Sequence, residues 1–108
     1  MSQPFVAGLR ARAETIQLGS PTAGGITIRV EMPEVWDVVR VVASSDEPVM
    51  SVKVSALAAL APDATIPQEF VVKLHGWEIL DESVSLAEAG VVDGSILLLT
   101  YRRRRAVR

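Results

Sequence analysis

Chemistry at neutral pH needs a nucleophile, a proton-transfer group or a set of metal ligands, and this chain of 108 residues is poor in all three. It contains one histidine, His75, and no cysteine. Thiolate nucleophiles, cysteine zinc sites and disulfides are therefore excluded by count. A histidine metal site or a Ser-His-Asp relay would need partners that no motif supplies around His75, so a surface histidine at a strand end is the expected role. The carboxylate pairs Asp46/Glu47 and Asp81/Glu82 fall where a helix should start and where a turn should lie. They read as cap and turn acids in water, not as a paired general acid and base. Gly24-Gly25 opens an alternating strand, whereas a phosphate-cradling glycine loop would open a helix. The sequence thus predicts a protein that is not an enzyme, with no catalytic residue, no cofactor, no metal and no small-molecule substrate.

Charge is distributed very unevenly. All thirteen acids lie between Glu14 and Asp93, a stretch whose bases are Arg29, Arg40, Lys53 and Lys73, so thirteen negative charges meet four positive ones and the body carries −9. Arg102, Arg103, Arg104, Arg105 and Arg108 then make a basic tail of +5. Such separation marks an interaction tail, or one that folds back on its own body. Five guanidiniums suit an acidic protein or a membrane surface. Nucleic acid is disfavoured, because the body would repel it and no aromatic residues interleave the arginines for base stacking. The apolar run Ile96 to Leu99 is far short of the ~20 residues that cross a bilayer. "FVAGL" near the start is likewise shorter than the core of a signal peptide, and no Lys or Arg precedes it. A soluble cytoplasmic protein is the expected class, with an apolar share of 49% and a charged share of 22% typical of globular chains.

The elements that would position these residues follow from periodicity. Residues 1–25 hold no sustained period and include "GSPTAGG", so they read as a flexible N-terminal arm. In "ITIRVEM", Ile26, Ile28, Val30 and Met32 alternate with polar residues as in a half-buried strand. "PEVW" reverses the chain, and "DVVRVVA" places Val39, Val41 and Ala43 inward to complete a hairpin. "SSDEPVMSVKVSALAALA" supplies Ser and Asp as candidate caps, Pro48 for the first turn and an apolar stripe of Val49, Val52, Ala56, Leu57 and Leu60, which predicts the main helix. A third strand is expected over Phe70 to His75, a short fourth over Glu78 to Leu80 after a turn at Gly76, and a last one over Ser95 to Tyr101. Trp36 and Trp77 each adjoin a turn; sealing the edge of a small core is the expected role, a contact anchor the alternative.

In order, these stretches resemble ubiquitin and its β-grasp relatives. "VVRVVASSDEPVMSVK" is similar to ubiquitin's second strand, its Ser-Asp turn and the start of its helix. "IPQEFVVKLHGWEIL" resembles the Ile-Pro loop and third strand, with Gly76 at the turn glycine, and "SVSLAEAGVVDGSILLL" the segment that leads into the last strand. The resemblance spans the chain from Ile26 onward. "GWEILDESVSLAEAGVVDGSILLL" is most similar to the bacterial ubiquitin-like proteins of the YukD type, which accompany type VII secretion machines.

This resemblance implies an α+β ubiquitin-like β-grasp domain over 26–101, a mixed sheet of four to five strands packed on one main helix, with 102–108 as a basic C-terminal tail. Its last strand would lie mid-sheet beside the first. The implied function is non-enzymatic binding of other proteins, as an accessory or assembly component of a bacterial secretion system. Ubiquitin and the sulfur carriers act through a C-terminal Gly-Gly. This sequence ends "RRRRAVR", so a modifier or sulfur carrier would need a longer precursor that is processed. The small β-grasp subunit of a multicomponent oxygenase is a further alternative. The exposed Ile at the centre of ubiquitin's recognition patch corresponds to Lys73. Here the open sheet face is expected to show Val71, Lys73 and His75 together with Leu97 and Leu99, and Trp77 beside them, as a protein-binding surface.

Overall fold

A computed structural model describes residues 15–19, 25–63 and 66–102. The remaining arginines of the tail, Arg103, Arg104, Arg105 and Arg108, lie outside the described residues, as do residues 1–14 of the N-terminal stretch.

Alternation builds the centre of the sheet. Strands β2 (Gly25–Met32) and β3 (Asp37–Ser44) pair in antiparallel register, Ile28 opposite Val41 and Val30 opposite Val39, so the apolar members of both strands share one face. A 3-10 turn at Pro33–Val35 joins them, ending in Trp36 with a left-handed φ of 54°. The last strand, β6 (Ile96–Tyr101), runs parallel to β2 in the middle of the sheet, as expected. Strand β4 (Phe70–Leu74) is antiparallel to β6, and β5 (Trp77–Glu78) closes that side.

The sheet has six strands, in the order β1-β3-β2-β6-β4-β5, where four to five were expected. The addition is β1 (Thr15–Gln17), from within the stretch read as an arm. It runs parallel to β3 with Ile16 beside Val41, and Leu18 N–H extends the ladder by donating to Val42 O at 2.9 Å. Three residues carry no detectable period, but they cover the edge that β3 would otherwise expose.

Helix α1 (Val49–Leu60) lays Val49, Val52, Ala56, Leu57 and Leu60 on the sheet, the stripe read from its spacing. Its start differs from expectation: no side chain caps it. The first amide donors instead reach backbone carbonyls, Val49 N–H to Val84 O and Met50 N–H to Glu82 O, with Leu86 N–H returning a bond to Glu47 O. The 82–86 segment thereby meets the need that caps usually meet. The core joins this helix face to Ile28, Val30, Val39, Val41, Phe70, Val72, Leu86, Leu97 and Leu99. Among the described residues no helix is long and apolar enough to cross a membrane.

Candidate functional site

The β4–β5 hairpin is dictated by its turn. Register pairs Lys73 with Glu78 and Leu74 with Trp77, leaving His75 and Gly76 as a two-residue loop. Their φ values are 55° and 84°, the paired left-handed conformation of a type I′ turn, whose twist matches that of the strands. Histidine is among the non-glycine residues that tolerate this conformation. His75 therefore serves the backbone first, and its exposed ring sits at the tip of the hairpin.

That turn puts Trp77 into water. Its side chain is 78% exposed, and two residues past the end of β5 Leu80 is 83% exposed. Beneath Trp77 runs an open groove of about 400 Å³ whose apolar walls are Leu74, Ile79, Val84 and Ala89, with His75, Glu78 and Asp81 also lining it. Ile79, Val84 and Ala89 pack against the core from the floor of this groove, and Ile79 N–H donates to Val72 O at 2.8 Å to hold it. At the rim, Asp81 accepts hydrogen bonds from the Ser83 hydroxyl and amide, which hold its carboxyl below the usual aspartate range. Trp36, at the opposite end of the sheet, is 93% exposed. Neither tryptophan seals the core; the left-handed backbone at Trp36 and the I′ turn before Trp77 aim both rings outward.

The other residues expected on the binding face are divided by strand phase. Lys73 is half-buried on the open face, directly opposite Leu98. Leu97 and Leu99 are fully buried in the core, contrary to expectation, because they pair with Leu74 and Val72 on the helix side. Ile96, Leu98 and Thr100 take the outward positions instead. A phase error of one residue exchanges the two faces. Val71 has the outward phase but is buried as well, so it adds no accessible surface. Its place in the strand lies between the two anchors of Arg102, whose Nε donates to Gln68 O at 3.1 Å and whose guanidinium pairs with Glu78 at 3.3 Å. Arg102, the first arginine of the basic tail, is thus tied to the sheet, and its N–H continues the strand by donating to Glu69 O.

Two features escaped the sequence reading. Lys53 lies in the helix's buried stripe and pairs through Nζ with both carboxylate oxygens of Glu82, at 2.9 and 3.1 Å. Glu82 is therefore a partner of a buried charge and not a solvated turn acid. A lysine four residues after Val49, on the apolar stripe, was the available signal. Leu80, the second exposed apolar residue of the site, follows Ile79 in the sequence with nothing to show which of them would turn outward.

No family model matches the sequence, and no curated protein matches it. Solved structures do. The ubiquitin of Caldiarchaeum subterraneum superposes with a TM-score of 0.62 at 18% identity, covering 77% of this chain and 100% of its own. The fold is the ubiquitin-like β-grasp. A ubiquitin-like protein of Trypanosoma brucei covers 76% of this chain and 100% of its own at 27% identity and a TM-score of 0.59. The ubiquitin-like domain of an Arabidopsis thaliana protein reaches 0.64 at 20% identity, with 82% and 90% covered. The mixed sheet on one helix, implied by the resemblance of the sequence, is the fold observed, with six strands in place of four to five.

Proposed function

We propose that this chain is a member of the ubiquitin-like family that works as a non-enzymatic protein-interaction module, with Trp77 as the anchor of its contact surface. The observation that carries this is the exposure of Trp77 over a largely apolar groove, with Leu80 also exposed three residues further along the chain. Large apolar side chains held in water by a fixed turn lose little conformational freedom on docking, and Trp is enriched among the residues that dominate binding energy. The ubiquitin-like fold supports a module of this kind, since its members typically act through surfaces they present to other proteins.

The finer reading is an assembly contact in a bacterial type VII secretion machine, on the cytoplasmic side. The resemblance of residues 76–99 to YukD-type proteins supports it. Arg103, Arg104, Arg105 and Arg108 would add attraction to an acidic protein or membrane surface, while Arg102 is engaged with Glu78.

A photo-crosslinking residue replacing Trp77, compared with one replacing Val54 on the outer side of α1, tests the proposal in native cells. Adducts to a secretion component from position 77 and none from position 54 are expected. Equal yields from both positions would sink the assignment of the surface. Covalent adducts formed without light would identify a conjugated modifier, and capture of an iron-bearing hydroxylase an oxygenase subunit.

A further inference from the structure

The body of the chain has four bases between its thirteen acids, and one of them, Lys53, is buried with Glu82. The other three, Arg29, Arg40 and Lys73, all project from the sheet face that the helix leaves open, by the alternation of β2, β3 and β4. Two of them meet. Arg29 and Arg40 are directly opposite each other in the β2–β3 register, a placement that brings Cβ atoms to about 5 Å and destabilises a sheet when the charges are alike. Among the described residues neither guanidinium has a carboxylate partner. Asp93, at the rim of the same groove, already accepts Thr27 N–H at 2.8 Å.

We propose that the Arg29–Arg40 pair is a docking site for an acidic segment of a partner protein. The reading goes beyond the Trp77 surface, since none of its residues lies in the β4–β5 hairpin. Paired guanidiniums present planar forks that match carboxylates bidentately. They open on a groove of about 330 Å³ whose further wall is Ile96, 46% exposed and next to Arg29 in the β2–β6 register. Leu98 follows on the same face, half-buried. Charge beside apolar surface fits a chain that carries acidic and apolar side chains together. A free phosphate would leave Ile96 unused. A uniform polyanion such as nucleic acid would set charge against Glu31 and Asp93 on either side of the pair, where a segment of mixed side chains can place apolar ones. An acidic ligand also supplies the neutralisation that the fold withholds, so the site gains in the complex what it costs in the free protein.

The test uses the full chain and a glutamate-rich peptide that carries one leucine, followed by the NMR resonances of the basic side chains, the Thr27 amide and the Ile96 methyl groups. Saturable shifts of Arg29, Arg40, Thr27 and Ile96 are expected whether or not the tail arginines also respond, weakened about tenfold or more in an Arg29→Gln/Arg40→Gln variant and unchanged in Trp77→Ala. The single variant Arg40→Gln should melt at the same temperature or a few degrees higher, because it relieves repulsion. The assignment fails if inorganic phosphate at equal ionic strength gives the same shifts, or if vesicles containing phosphatidylserine bind and the peptide does not. It also fails if the peptide shifts every basic residue alike or none. A clear drop in the melting temperature of Arg40→Gln would likewise overturn it, by making the pair structural. Loss of crosslinking at Trp77 would leave these outcomes untouched, so the two readings stand or fall separately.

Discussion

The two faces of the sheet solve the problem of charge in opposite ways. On the helix side, the single cation that enters the core, Lys53, is held by both oxygens of Glu82 and no buried side-chain donor or acceptor is left without a partner among the described residues. On the open side, two arginines face each other, and among the described residues neither has a carboxylate partner. Burial explains the first arrangement: an unpaired charge in an apolar interior costs several kcal/mol, so it is paired or absent. Water tolerates the second, at a cost of tenths of a kcal/mol to about 1 kcal/mol for the like-charge pair. The closed face is thus constrained by folding, whereas the open face is free to hold what a partner would use.

Removing Glu82 should separate the faces most sharply. Glu82→Ala leaves Lys53 buried with no counter-charge, and a loss of about 3–5 kcal/mol is expected from denaturant unfolding. The double variant Lys53→Met/Glu82→Leu should recover most of it, since apolar replacement of a buried pair is often neutral. A double variant as unstable as Glu82→Ala alone would show that the pair contributes net stability and not merely mutual compensation.

Adjacent leucines of β6 give the next largest contrast. Leu97→Ala empties a core position and should cost about 2–5 kcal/mol. Leu98→Ala, one residue on but outward and half-buried, should cost under ~1 kcal/mol. Equal losses in chemical denaturation would place the faces wrongly.

That pair of leucines also shows where the sequence stops being informative. In "ITIRVEM" polar residues mark every second position, so Ile28 and Val30 could be assigned inward at once. "ILLLTY" offers four apolar residues in succession, and period two has no phase in such a run. The choice between Leu97/Leu99 and Ile96/Leu98 is made by pairing with β4, which is long-range information. The helix was legible for the same reason as β2, through Val49, Val52, Ala56 and Leu60 at helical spacing. Its start was not, because backbone from 82–86 replaced the expected side-chain cap. β1 has three residues and pairs with a strand more than twenty positions away, too short for any local signal. At the candidate site, Gly76 marked the turn, but the outward aim of Trp77 depends on the paired φ angles of His75 and Gly76.

The smallest effect expected concerns Glu34, which ties the β2–β3 turn to the end of β6. Its carboxylate accepts hydrogen bonds from the Thr100 hydroxyl and from Tyr101 N–H, the latter at 3.0 Å. Partial burial pushes the Glu34 carboxyl upward, but these hydrogen bonds to the charged form outweigh it and hold the group below the ordinary glutamate value. A carboxyl that binds its proton less readily when folded stabilises the fold above its unfolded pKa, near 4.3, and loses that contribution as the pH falls through the lower folded value. Glu34→Gln should therefore melt slightly below the parent at pH 7, and the gap should close as the solution is acidified below pH 4. The magnitude stays small because the site is exposed to solvent and screening. A gap of constant size across that range would mean that the glutamine has lost packing and not charge, and would remove Glu34 from the electrostatics of the open face.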